Sequence, residues 1–348
     1  VLSRFGDNSL GLLLCRDSLD ALETFGQRLC HEVAGHHMEV ENQRLDITMS
    51  IGAFPIETGN QDARALFSRA KLAGKTAHDQ GGNQIFLHRP EAKPEVVVEI
   101  DEALSQLLKD AIEKGYFEIY FQPMVALKEG SEAYYQTLIR LQEPDGKLYA
   151  AREFIPRAEQ LGLISRIDQW TTRNALAIIH EHKNQGNRLH LFVSQSSDLL
   201  ENMERLSWLQ EKHRHGFINE NELTFEFRLS EVTRHLNSAK ACFTLLHKIG
   251  ITTLLTGVDN SSESQRTLNH LPVSYIKLDS DLLKKPDARL KEVISLAHSM
   301  QIKVIAHQVE DPRSIATLWS SGTDFVQGNF VQRPENNLIY DFDESVLK

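Results

Sequence analysis

The chain has 348 residues, 41% hydrophobic and 25% charged, with a formal net charge of −10. That length suits two domains, one on the scale of a barrel of about 250 residues. The composition is that of a globular protein, and the negative charge argues against non-specific nucleic-acid binding and against a basic membrane-facing patch.

In chain order, residues 10–14 form an apolar run of strand length. Leu19, Leu22, Phe25, Leu29 and Val33 recur at helical spacing and predict a helix over 19–33. Residues 45–54 read as one strand stopped by Pro55, 63–77 as a helix ending near Gly81-Gly82, and 84–87 as a further strand. Arg89-Pro90-Glu91-Ala92-Lys93-Pro94-Glu95 reads as a linker. Beyond it, Ile100, Leu104, Leu107, Leu108 and Ile112 share one face of a helix over 100–114 that stops at Gly115. Strands are predicted at 117–121, 133–140, 189–193, 223–227, 252–255, 275–278, 303–306 and 325–327, with helical patterns between most of them. Eight such strands predict an α/β architecture ending in a (β/α)8 barrel, whose functional side chains sit at the C-terminal ends of the strands.

No apolar run approaches the roughly 20 residues that span a bilayer, and the first residues do not form a signal peptide. The chain opens on Val-Leu-Ser without a methionine, which suggests a piece of something longer. Cys15, Cys30 and Cys242 are far apart and in no metal-binding spacing, which suits a reducing cytoplasm. His31-Glu32-Val33-Ala34-Gly35-His36 superficially resembles a zinc-protease motif. Its two histidines, five residues apart, point about 140° from each other on a helix and cannot share a metal.

Residues 134–141, Tyr-Tyr-Gln-Thr-Leu-Ile-Arg-Leu, resemble the signature of EAL domains, the phosphodiesterases that cut cyclic di-GMP, with Gln136 where the signature has glutamate. Phe121-Gln122-Pro123, Glu153-Phe154-Ile155-Pro156, Leu271-Pro272-Val273-Ser274-Tyr275-Ile276-Lys277-Leu278-Asp279, Val309-Glu310 and Phe325-Val326-Gln327-Gly328 are similar to further landmarks of that family, in its order. Upstream, Gly6-Asp7-Asn8-Ser9-Leu10 resembles the GGDEF signature of diguanylate cyclases, with Ser50–Phe54 and Ala70–Lys75 as later landmarks. Only Asp7 is acidic there and Ser9 replaces the glutamate, so cyclase activity is not expected. On this resemblance, residues 1–90 are the C-terminal part of a degenerate GGDEF domain, 91–115 a linker and connecting helix, and 116–348 a degenerate EAL barrel.

The resemblance also implies roles. EAL enzymes hold two divalent cations with carboxylates and an asparagine, and the ions activate a water. The corresponding positions here are Gln136, Ser194, Glu226, Thr256, Gly257 and His307, with one carboxylate among them. No metal, no cofactor and no hydrolysis are expected. Positions that contact or frame the dinucleotide in the family match Gln122, Leu138, Arg140, Phe154, Asp168, Lys277, Asp279, Glu310 and Gln327. Arg140 suits a bidentate phosphate contact or a surface ion pair, Phe154 a stacking surface or the core, and Glu310 and Asp279 ligand contacts or structural hydrogen bonds. The pattern resembles FimX-type receptors of type IV pilus control, which bind cyclic di-GMP uncut and engage a PilZ-domain adaptor. A cytoplasmic, catalytically inactive cyclic di-GMP receptor acting through a PilZ-type or pilus-assembly partner is therefore expected, with oligomerisation open. The alternative is a scaffold that has lost nucleotide binding.

Overall fold

A computed structural model describes residues 2–4, 10–15, 18–40, 43–56, 63–79, 81–87, 95–127, 132–284 and 288–342. Positions 6–9 of the GGDEF-like motif and residues 89–94 of the proline-bearing linker lie outside the described residues. Two compact units are present, Val1–Ile100 and Asp101–Lys348. No helix among the described residues is long and apolar enough to cross a membrane.

In the first unit, β1 (Leu2–Arg4) pairs antiparallel with β2 (Leu10–Leu12). Helix α1 (Leu19–Gly35) starts where the Ser18 hydroxyl accepts a hydrogen bond from the Ala21 N–H at 3.1 Å, which satisfies one of the free amides of the first turn. It ends at Gly35, so His36 lies beyond it. β3 (His37–Val40) and β4 (Gln43–Asp46) form a hairpin, whereas β5 (Ile51–Ala53) pairs parallel with β6 (Ile85–Leu87) across α2 (Ala63–Asp79). The stretch 45–54, expected as one strand, is thus two. Its halves pair with different partners, and the chain leaves one sheet for another between Ile47 and Ser50.

The second unit is entered along α3 (Glu95–Lys114), which ends at Gly115 with φ 75°, a left-handed closure that glycine adopts without a Cβ clash. Then follow β7 (Phe117–Ala126), β8 (Ala133–Gln142), β9 (Leu148–Ala150), α4 (Ala151–Gln160), α5 (Ile164–Asn184), β10 (Leu189–Ser194), α6 (Met203–Arg214) and β11 (Leu223–Arg228). The chain continues through α7 (Leu229–Val232), α8 (Leu236–Lys248), β12 (Thr252–Val258), α9 (Ser262–His270) and β13 (Tyr275–Leu278). It closes with α10 (Ser280–Lys284), α11 (Ala288–Ser299), β14 (Lys303–Ala306), α12 (Pro312–Ser321) and β15 (Phe325–Gln327).

The strands run in the order β10-β11-β12-β13-β14-β15-β7-β8, and a β10–β8 pairing closes the barrel. It is not a uniform parallel barrel. β7 is antiparallel to both of its neighbours, β8 and β15. The reason lies in strand length. β7 and β8 are ten residues each, longer than expected, which leaves only residues 127–132 between them. A parallel crossover needs about a dozen residues or more, so six can make only a hairpin. β9 adds antiparallel to the last residues of β8, next to the segment of β8 that pairs with β10.

The main core lies between the barrel wall and its helices, with Phe225, Phe227 and Phe243 among its fully buried side chains. Each such burial stabilises by about 1.5–3 kcal/mol. A second cluster joins α3 to α4 and α5 through Leu108, Ala111, Phe117, Leu141, Phe154, Ala158 and Ile167. A third fills the barrel interior, where Met124, Tyr134, Phe192, Leu254, Tyr275, Ile305 and Phe325 form an apolar plug.

Candidate functional site

Side chains on a strand alternate between faces, so the residue two positions on from each plug residue also faces the interior. Moving toward the C-terminal strand ends, Tyr134 is followed by Gln136, Phe192 by Ser194, Leu254 by Thr256, Tyr275 by Lys277, Ile305 by His307 and Phe325 by Gln327. On reversed β7 the same step runs backward, from Met124 to Gln122. A polar layer therefore sits directly on the apolar plug. Together with Glu226 and Leu138 it forms the base of a cavity of about 270 Å³, whose rim carries Gln308, Glu310, Gly328 and Asn329.

Lys277 organises this layer. Its Nζ donates to Gln136 Oε1 at 2.6 Å and to Glu226 Oε2 at 2.7 Å. Both charged side chains are largely buried, at 5% and 13% exposure. The Gln136 Nε2 donates to the Phe192 carbonyl at 3.3 Å, which fixes the amide orientation. On the far wall Gln327 Nε2 donates to Gln122 Oε1 at 2.9 Å, and Gln122 Nε2 donates to the Gln332 carbonyl at 3.1 Å. The Gln327 Oε1 and the His307 Nδ1 are buried and make no hydrogen bond among the described residues. Burial, reinforced by the nearby Lys277 charge, holds the His307 imidazole down at about 4, so it is neutral at pH 7.

Gln122, Gln136, Leu138, Ser194, Glu226, Thr256, Lys277, His307, Glu310 and Gln327 thus come together at one cavity. The other sequence-based candidates lie elsewhere. Gly257 marks a β-bulge where the β12–β13 register shifts, with φ 79°, a conformation a side chain would resist. Arg140 is two residues beyond Leu138 on the same face of β8, nearer the mouth. It is half-buried, donates to the Ile139 carbonyl at 3.2 Å, and lies over the Tyr120 ring with its guanidinium carbon 5.4 Å from the centroid. Burial lowers its pKa. Asp279 follows β13 and accepts the Asp281 N–H at 2.9 Å.

Phe154 and Asp168 are engaged internally. Phe154 is 0% exposed and packs against Phe117, with ring centroids 5.8 Å apart. Its position on the apolar face of α4 with Ala158 gives it to the core rather than to the cavity. The buried Asp168 carboxylate accepts the Ser196 hydroxyl at 2.6 Å and the Ser196 N–H at 2.9 Å, with Arg205 at 3.6 Å. Burial pushes its pKa up to about 6 against the opposing pull of Ser196 and Arg205.

Sequence reading missed Gln308 and Asn329. Gln308 stands between two residues it had singled out, but no residue pattern announces its left-handed backbone, φ 58°.

The model of the EAL domain matches residues 105–334, about two thirds of the chain. The chain belongs to the EAL domain family. It is similar to the EAL domain of FimX from Pseudomonas aeruginosa in a crystal structure bound to c-di-GMP, with TM-score 0.64 and 28% identity, covering 69% of this chain and 99% of that one. It is 26% identical to an uncharacterized 76.5 kDa protein of Thiocystis violacea, over 98% of this chain and 49% of the relative. It is 23% identical to the cyclic di-GMP phosphodiesterase PdeB of Shewanella oneidensis, over 96% and 40%. The chain thus spans half or less of the length of these curated relatives.

EAL enzymes work with a pair of divalent cations, and the donors present here do not fit such a pair. Glu226 already faces the Lys277 ammonium, Gln136 and Thr256 offer neutral oxygens, and Gly257 offers no side chain. Hard divalent cations need several carboxylates or carbonyl oxygens held in a fixed array. Among the described residues no three His, Cys, Asp or Glu side chains come together to hold a metal ion.

Proposed function

We propose that this chain is a non-catalytic receptor for cyclic di-GMP that signals through a bound protein. The observation that carries the reading is the Lys277 ammonium between Gln136 and Glu226: the charge demand of the one remaining carboxylate is met from within the protein. A hydrolase of this family needs that carboxylate for a cation. The likeness to a FimX EAL domain bound to c-di-GMP supports the ligand, while the likeness to PdeB keeps phosphodiesterase activity as the contrasting outcome.

On this reading Arg140 binds phosphate, Lys277 frames the pocket floor through Gln136 and Glu226, and Glu310, Gln327 and Gln122 contact the bases. Residues 1–90 are a degenerate GGDEF remnant without cyclase activity, and a PilZ-type adaptor acting on pilus assembly is the partner in a cytoplasmic pathway. A second reading, a scaffold without nucleotide binding, is favoured by the internal engagement of Phe154 and Asp168. Calorimetric titration of cyclic di-GMP with and without Mg²⁺ tests both. The receptor binds with the same affinity in either buffer, the scaffold binds in neither, and Mg²⁺-dependent binding would overturn the non-catalytic reading.

A further inference from the structure

Gln308 has a backbone conformation that its side chain disfavours. At φ 58° it occupies the left-handed region, where a Cβ crowds the following carbonyl and glycine does not. The neighbouring contacts leave the backbone little choice. The next residue, Val309, is 3% exposed, its N–H donates to the Gln327 carbonyl at 3.0 Å, and its carbonyl accepts the Phe330 N–H at 3.1 Å. Gly328 presses so close that a Cβ there would fall 2.1 Å from the Val309 oxygen. Residues 307–310 are thus stapled to the end of β15, and the strain at position 308 is held by these contacts. Gln301, at φ 61°, holds the same conformation in the exposed turn before β14, so what sets Gln308 apart is its place on the cavity rim. Strain retained by a well-anchored backbone at a cavity points to use of the side chain.

The surroundings indicate what that use is. Gln308 is on the same rim as Glu310 and Asn329, above Gln327. The Gln327 Oε1 is an acceptor without a partner among the described residues, on a side chain that is 6% exposed, so it is open to a donor from a molecule in the cavity. Neutral carboxamides and one carboxylate on one wall suit a planar group with donors and acceptors along an edge, and suit a phosphate poorly. The positive charge lies with Lys277 and, nearer the mouth, Arg140.

We propose that Gln308 is a specificity residue whose carboxamide, together with Glu310 and Gln327, reads the hydrogen-bonding edge of a guanine base. This rests on the reading of the chain as a cyclic di-GMP receptor. Guanine offers a lactam N–H, an amino group and a carbonyl along one edge. Glu310 and the Gln327 oxygen accept from the donors, and the Gln308 amide donates to the carbonyl. Adenine, with an amino group where guanine has the carbonyl, opposes donor to donor.

The test uses the full chain and two probes, cyclic di-GMP and cyclic di-AMP, titrated calorimetrically, with thermal midpoints measured alongside. Gln308→Gly relieves the backbone and removes the carboxamide. Gln308→Ala keeps the strain and removes the carboxamide. Both variants should bind cyclic di-GMP about tenfold more weakly and lose most of the preference over cyclic di-AMP, since one hydrogen bond is worth about a factor of ten. The glycine variant should melt no lower than the native chain. Unchanged affinity and preference in both variants would overturn the assignment and leave the receptor reading standing. Weakening in the glycine variant alone would assign the effect to loop rigidity and also overturn it. If the native chain binds neither dinucleotide, the receptor reading fails and this assignment falls with it.

Discussion

Lys277 on β13 and Glu226 on β11 meet inside the barrel with β12 between them, Nζ to Oε2 at 2.7 Å. Removing one partner of such a buried pair leaves an uncompensated charge and costs about 3–5 kcal/mol. Lys277→Met should lower unfolding stability by that order, and Lys277→Met combined with Glu226→Gln should recover much of it. Urea denaturation measures both. A loss below about 1 kcal/mol in the single variant would mean that water or a rearranged side chain already satisfies Glu226.

Gln136→Glu should not create a phosphodiesterase. The new carboxylate would share the single Lys277 ammonium with Glu226, and Thr256 and Gly257 would still supply no acid. Chromatography of cyclic di-GMP incubated with this variant and Mn²⁺ should show no linear dinucleotide above a buffer blank. Product formation would contradict the non-catalytic reading directly.

Arg140→Ala should weaken cyclic di-GMP binding about tenfold or more, as expected for a charge-assisted hydrogen bond worth about 1.5–3 kcal/mol. Arg140→Lys keeps the charge but loses the planar fork, and should fall between the two. Equal affinities for all three, by calorimetry, would place the phosphates elsewhere.

Acid should destabilise the fold through two histidines that burial keeps neutral, opposed in part by Asp168, whose raised pKa lets the folded state take up a proton as the pH falls through about 6. His190 lies inside the barrel, bonded to Thr224 Oγ1 at 2.6 Å, and burial takes its pKa from the usual 6.5 to about 3. His307 is taken to about 4. Both folded values lie below the unfolded one, so the unfolded chain binds more protons once the pH drops beneath 6.5. Stability from these groups is fully present above pH 6.5 and is lost as the pH falls toward 4. Denaturation midpoints at pH 7, 5.5 and 4.5 should decline in that order, and His190→Gln should flatten the decline. A slope unaltered by that change would assign it to other groups.

Helix and strand positions were legible wherever one period dominated. The helical repeat Leu104, Leu108, Ile112 in α3 is read directly from spacing. Strand direction was not legible, because it depended on where β7 and β8 end, and apolar patterns blur at strand ends. Resemblance led to the polar layer around Lys277, yet the layer also follows from stepping two residues beyond each plug residue. That signal lies in the sequence and becomes usable only once the strands are aligned. Phe154 shows the converse. Its neighbourhood matches a family landmark, but whether an aromatic ring faces a ligand or the core is decided by α3 and α5 packing on α4, which no local pattern encodes.

The reversal of β7 also fixes where the chain enters the barrel. Because β7 runs against its neighbours, Phe117 and Glu118 stand opposite Leu141 and Arg140, at the mouth. In a uniform barrel the first strand would begin at the closed floor, remote from bound molecules. Here α3 delivers the chain to the open rim, beside the strand that carries Arg140, and Ser105 of α3 accepts a 2.8 Å hydrogen bond from Arg157 of α4. A twist or pull on that incoming helix would reach the rim within a few residues, without having to cross the barrel.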